Sequence, residues 1–126
     1  MNDDTLLLRQ VNPSWVQHGR VTSQAFRPTP KDQHKLSAYD GDQISAEKSW
    51  VHYTTTLKFS SIGTLAVTVM ECKQQELPAA PDPEPFPEHV VIDFTGFGKS
   101  QVEHKSKKLK AAAEVRGWKY RAIENK

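Results

Sequence analysis

Cysteine is nearly absent from this sequence: Cys72 stands alone among 126 residues. An intramolecular disulfide is therefore impossible and a zinc site built on four thiolates is excluded. Nothing points to an oxidising compartment, so a cytoplasmic protein is expected. Long apolar runs are missing too. No stretch approaches the roughly 20 apolar residues that cross a bilayer, so no membrane partner is expected. The opening Met1-Asn2-Asp3-Asp4 lacks the basic start of a secretory signal, and only three leucines precede Arg9, too short for the apolar part of one.

What is present is polar but built to fold. Hydrophobic residues make up 37% and charged residues 25%, while three Trp, five Phe and three Tyr exceed what a disordered chain carries. The length fits one domain over residues 1–126 that buries roughly two thirds of its unfolded surface. Neither metal nor cofactor is required to hold it together, and none is expected.

Leu6, Leu7, Leu8 and Val11, bounded by Asn12-Pro13, predict a buried strand over Thr5 to Val11. Pro13 to His18, with Gly19 as a stop, predicts one or two helical turns. Val21 to Phe26 reads as a second strand, closed by Arg27-Pro28-Thr29-Pro30, and Leu36 to Tyr39 as another before the turn residues Asp40-Gly41-Asp42. Ala46, Trp50, Tyr53 and Leu57 fall on one helical face behind the cap Ser45. The run Thr54-Thr55-Thr56 should end that helix, because β-branched side chains lose rotamer freedom there.

Leu65 to Cys72 reads as a central strand, and five prolines between Pro78 and Pro87 force an extended surface loop. His89 to Phe94 predicts a further strand. Ser100 with Glu103 forms a capping box for a helix to Arg116, with Val102, Ser106, Leu109 and Ala113 as its buried stripe and Gly117 as its stop. Trp118, Tyr120 and Ala122 predict a last, half-buried strand. This order lacks regular strand–helix alternation. The expected fold is α+β, a mixed or antiparallel sheet of five to six short strands covered by two helices.

Charge is the strongest functional signal. Lys99, Lys105, Lys107, Lys108, Lys110, Arg116, Lys119 and Arg121 face only Glu103 and Glu114 in the same segment. That segment carries six net positive charges and the rest of the chain four negative, within a total of +2. Such a helix can neutralise phosphates, with Trp118 or Tyr120 as a stacking surface, although a solvated outer face has the same composition. The leading expectation is a non-catalytic interaction domain that binds an acidic partner, nucleic acid or protein. The proline segment 78–87, extended beforehand, is a further candidate for docking on a protein.

Gly96-Phe97-Gly98-Lys99-Ser100 follows a strand and opens a helix, the setting of a phosphate-binding loop. The pattern is incomplete, because Asp93 occupies the place of its first glycine and 26 residues are too few for the rest of a nucleotide hydrolase. The glycines then shape a turn, with a weaker anion site left open. His18, His34, His52, His89 and His104 show no paired metal-ligand spacing, and Asp40-Gly41-Asp42 lacks the closing Glu of a calcium loop, since Val51 stands there.

Catalysis is left open. Arg9, Thr22-Ser23 and Gln74-Gln75-Glu76 occur in the order Arg, Ser, Gln-x-Glu, which resembles the site order of ADP-ribosyltransferases. The resemblance implies that Arg9 clamps NAD and Glu76 activates an acceptor. Taken singly, Arg9 reads as half of a strand-end ion pair and Glu76 as a strand cap. The alternative expectation is thus a small enzyme acting on a nucleotide-like substrate, its site drawn from Arg9, Ser23, His34, Glu47 and Glu76. No Gly-x-Ser-x-Gly elbow occurs, and Cys72 reads as a small core residue on a strand.

Overall fold

The computed structural model of the chain describes residues 1–29 and 33–122. Strand β1 spans Leu6–Gln10, where the apolar run predicts it. A single 3-10 turn at Pro13–Trp15, capped by the Asn12 side chain, then leads into a hairpin of β2 (Val16–Gln17) and β3 (Arg20–Val21). His18 and Gly19 at its tip have φ of 53° and 77°, the left-handed pair that a two-residue hairpin turn demands.

The strand expected over Val21 to Phe26 is corrected. Beyond Val21 the chain winds into a 3-10 helix, Ser23–Phe26, that buries Ala25 and Phe26 completely. Adjacent residues on a strand point to opposite faces, so only winding brings both inward.

β4 spans Lys35–Asp40 and α1 spans Ala46–Val51, with Ser45 Oγ accepting from the Lys48 amide at 3.2 Å. The helix ends with the threonine run, where it is expected to. It widens into a π-helical turn, His52–Thr56, in which the Thr54 and Thr55 hydroxyls donate back to the Trp50 and Val51 carbonyls at 2.8 and 2.6 Å.

The expected strand from Leu65 to Cys72 is corrected as well: β5 is Gly63–Thr68, and α2 follows at once over Val69–Gln74. Thr68 Oγ1 accepts from the Glu71 amide while Glu71 Oε1 accepts from the Thr68 amide, a reciprocal cap that makes the turn into helix cheaper than further pairing. Cys72 therefore lies on a helix, although it is still buried.

Within the proline segment, Ala79–Pro81 forms an edge strand, β6, against β7 (His89–Asp93). An edge tolerates proline because its missing donor faces outward. The final helix, α3, spans Lys99–Arg116 and is capped by Gly98 rather than by Ser100, with the Gly98 amide donating to Gln101 Oε1 at 3.0 Å. Val102, Ser106, Leu109 and Ala113 form its buried stripe, and β8 (Tyr120–Arg121) closes the described chain.

The main sheet is wholly antiparallel, in the order β6-β7-β4-β1-β5-β8, so the α+β expectation holds with three α-helices in place of two. One face carries Leu7, Val11, Leu36, Val67 and Ile92 in the larger core with Phe26, Cys72 and Leu109. The opposite face packs Leu8, Tyr39 and Ala66 against Ala46, Tyr53 and Phe86.

The centre of this sheet is not continuous. All five residues of β1 pair with β5, and β4 pairs with β7 from Lys35 to Tyr39, yet β1 and β4 are in register only at Leu7–Asp40 and Leu8–Tyr39. Beyond Leu8 the two strands part. The guanidinium of Arg9 bridges the gap, donating from Nη1 to the Ser37 carbonyl at 2.9 Å and from Nε to the Ala25 carbonyl at 2.7 Å.

Candidate ligand-binding site

A cavity of 480 Å³ opens where β1 and β4 diverge. Arg9 shares its strand face with Leu7 and Val11, which directs it toward the larger core, and its guanidinium lies 5.1 Å from the Trp15 ring centre. Ser37 and Tyr39 share the other face, because Leu36 and Ala38, which alternate with them along β4, are buried in the larger core. His89 stands directly across from Tyr39 in the β4–β7 ladder. Two faces of the sheet thus contribute to one opening.

Aromatic rings dominate its walls. Phe86, carried by the proline segment, is turned inward: it stacks on Tyr39 with ring centres 4.9 Å apart and meets His52 at 4.7 Å and His89 at 5.0 Å. Tyr53 and Phe59 add a second pair at 5.2 Å, and Phe59 remains 57% exposed at the mouth. The π-helical turn and the left-handed Lys58 (φ 61°) reverse the chain so that Leu57 and Phe59 both reach the cavity.

The polar groups are held with defined roles. The His89 Nδ1 lies 2.8 Å from the Asp82 backbone carbonyl, which can only accept, so this nitrogen carries the proton. Nε2 of a neutral ring is then an acceptor, and the Ser37 hydroxyl, 2.9 Å away, donates to it. The Asp82 carboxylate stands off at 3.6 Å. Burial, with Tyr53 and Glu88 nearby, raises the Tyr39 phenol well above its ordinary value, which makes it the donor in its 2.7 Å bond to His52 Nδ1. Gln10, buried at the rear, donates to Ser49 Oγ at 2.9 Å and accepts from Ser61 and Thr64 at 3.0 Å. That network fixes α1 against the end of β1.

The sequence-level candidates are distributed differently. Of the proposed enzymatic set only Arg9 lines this cavity: Ser23 borders a groove beside α3, Glu76 lies near Phe97 and His104, and Glu47 is exposed on the first turn of α1. The His34 carbonyl accepts from the Phe94 amide at the far end of β4. The order that resembles ADP-ribosyltransferases therefore does not assemble as a site, and that expectation is corrected.

The basic segment is only partly a surface. Lys105 is buried, its Nζ donating to the Gln75 carbonyl at 2.5 Å and lying over the Phe97 ring. Lys110 pairs with Glu114 at 3.0 Å, and Arg116 forms a two-pronged bridge to Glu71 at 2.9 and 3.0 Å. Tyr120 packs on Trp50, whereas Arg121 covers the half-exposed Trp118. Lys99, Lys107, Lys108 and Lys119 are exposed.

Ser37, Tyr39 and His89 are the functional candidates that sequence reasoning missed. The polar–apolar alternation Ser37-Ala38-Tyr39 was their signal, but nothing local ties it to His89, which lies 52 positions from Ser37. No group of three or more His, Cys, Asp or Glu side chains that could hold a metal occurs among the described residues. Among them, too, no helix is long and apolar enough to cross a membrane. Comparison with protein-family models, with curated proteins and with solved structures found no match.

Proposed function

We propose that the chain binds a small nucleotide-like molecule, a flat ring bearing an anionic group, in the cleft between β1 and β4, and acts on it as an enzyme. One observation carries the reading: a ring-lined cavity of 480 Å³ in which no carboxylate and one fixed cation, Arg9, stand among the described lining residues. Rings stack on Phe and Tyr, and the positive charge of Arg9 favours a ligand that carries phosphate or carboxylate. A cytoplasmic setting belongs to the same proposal, in keeping with the single buried thiol.

The test is calorimetric titration with AMP, ATP and NAD beside adenosine and inorganic phosphate alone. Phosphorylated nucleosides should bind, with adenosine and phosphate each at least tenfold weaker. Phe59→Ala, which removes an exposed ring from the mouth, should weaken binding without altering stability. No heat and no amide shift in the cleft with any nucleotide would refute the reading.

A second reading keeps the acidic partner. A groove of 570 Å³ between the β2–β3 hairpin and α3 is bordered by His18, Arg20, Lys107 and Lys110. Cations outnumber carboxylates along this rim, although Glu114 holds Arg20 and Lys110 at 3.6 and 3.0 Å. Retention on heparin or RNA that falls steeply with salt supports it, and a flat salt response rejects it.

A further inference from the structure

We infer that Ser37 is a nucleophile activated by His89, and that the bond it attacks is an ester. The inference rests on the cleft being a ligand site and names the chemistry done there. Three geometric facts converge on it. The Ser37 hydroxyl donates to His89 Nε2 at 2.9 Å, and the Asp82 carbonyl fixes the opposite ring proton at 2.8 Å, so the imidazole is oriented as a base toward that hydroxyl. Ser37 is exposed and both residues line the same cavity, while the His89 side chain is only 8% exposed, held among Phe86, Tyr39 and Asp82. A nucleophile open to a ligand beside a base shielded from water is the pairing this chemistry requires.

The third fact is charge. The Arg9 guanidinium donates to the backbone carbonyl of Ser37 at 2.9 Å, which ties a permanent cation to the residue that carries the nucleophile. The Asp82 carboxylate, 3.6 Å from Nδ1, faces the imidazolium as it forms.

The steps balance. Ser37 Oγ forms a bond to the ester carbon as its proton passes to His89 Nε2. The carbon–oxygen bond of the ester breaks, and the departing alkoxide takes that proton and leaves as an alcohol. Water, losing a proton to the same nitrogen, then attacks the acyl carbon and releases a carboxylic acid, and the proton returns to Ser37. The net reaction is ester plus water giving acid plus alcohol. The aromatic walls select an ester with a flat ring in one of its two parts.

The experiment treats the full chain with an aryl fluorophosphonate, whose phosphorus replaces the ester carbon, and maps the adduct by peptide mass spectrometry. One equivalent should add at Ser37 with loss of fluoride, and Ser37→Ala should take up none. His89→Gln should react roughly 10²-fold more slowly or less. A wild-type chain that shows no adduct at Ser37, or a natively folded His89→Gln that reacts at the wild-type rate, overturns the inference. The wild-type adduct decides the matter even where His89→Gln fails to fold. An adduct without nucleotide affinity removes the nucleotide reading and keeps this one, and affinity without an adduct does the reverse.

Discussion

Arg9→Met tests the physical basis of the cleft, because it keeps the length and apolar stem of the side chain while deleting its donors. In the native chain Nε and Nη1 satisfy two backbone carbonyls, those of Ala25 at 2.7 Å and Ser37 at 2.9 Å, at the point where β1 and β4 stop pairing. A hydrogen bond from a charged donor contributes about 1.5–3 kcal/mol, and a carbonyl left without its donor adds to the loss. The bond to Ser37 is solvent-exposed and falls at the low end, so the two together give about 3 kcal/mol. With a typical urea dependence of about 2 kcal/mol per molar for a small domain, the unfolding midpoint should fall by about 1.5 M. Trp15, stacked beside the guanidinium, makes tryptophan fluorescence a suitable readout. Arg9→Lys, which retains charge but not the planar fork, should fall between. A midpoint within about 0.3 M of wild type for Arg9→Met refutes the argument that this side chain holds the parted strands.

Further outcomes follow from burial and charge. Burial alone would raise the Glu71 carboxyl, but the Arg116 bridge and the Thr68 cap outweigh it and hold the group below its ordinary value of 4.5. A depressed native value means that the stabilisation is complete above 4.5 and is lost as pH falls through the native value. The stability gap between wild type and Glu71→Gln should therefore be widest near neutrality and close below pH 4.5, as followed by urea melts at stepped pH. Phe26→Ala empties a site that is 0% exposed and should cost about 3–5 kcal/mol by the same assay. Burial, aided by the Glu71 charge, pushes the Cys72 thiol up to about 12, so a disulfide reagent should modify it only as the protein unfolds, at a rate that tracks denaturant.

Much of the framework is written in short-range pattern. The apolar run at Leu6–Leu8 marks β1, the spacing of Val102, Ser106, Leu109 and Ala113 marks the buried side of α3, and the Ser45 cap marks the start of α1. Each follows from periodicity or from one residue's bonding to its near neighbours, which sequence order alone supplies. At Thr68-Val69-Met70-Glu71 the alternating apolar residues read as a continuing strand and hid the reciprocal cap that turns the chain into α2.

What tertiary structure alone decided is where the sheet opens and what meets there. β1 pairs fully with β5 while β4 pairs with β7, and the two halves share only two aligned pairs, an outcome of the whole sheet's pairing that no single strand encodes. Ser37 and His89 become partners only after β4 and β7 align, and Asp82 and Phe86 join them because the edge strand β6 draws the proline segment back over the cleft. The basic segment shows the converse. Its charge is legible in sequence, but Lys105 and Arg116 turn toward Gln75 and Glu71, residues distant in the chain, because a cation near the core needs an acceptor and finds it only in the fold.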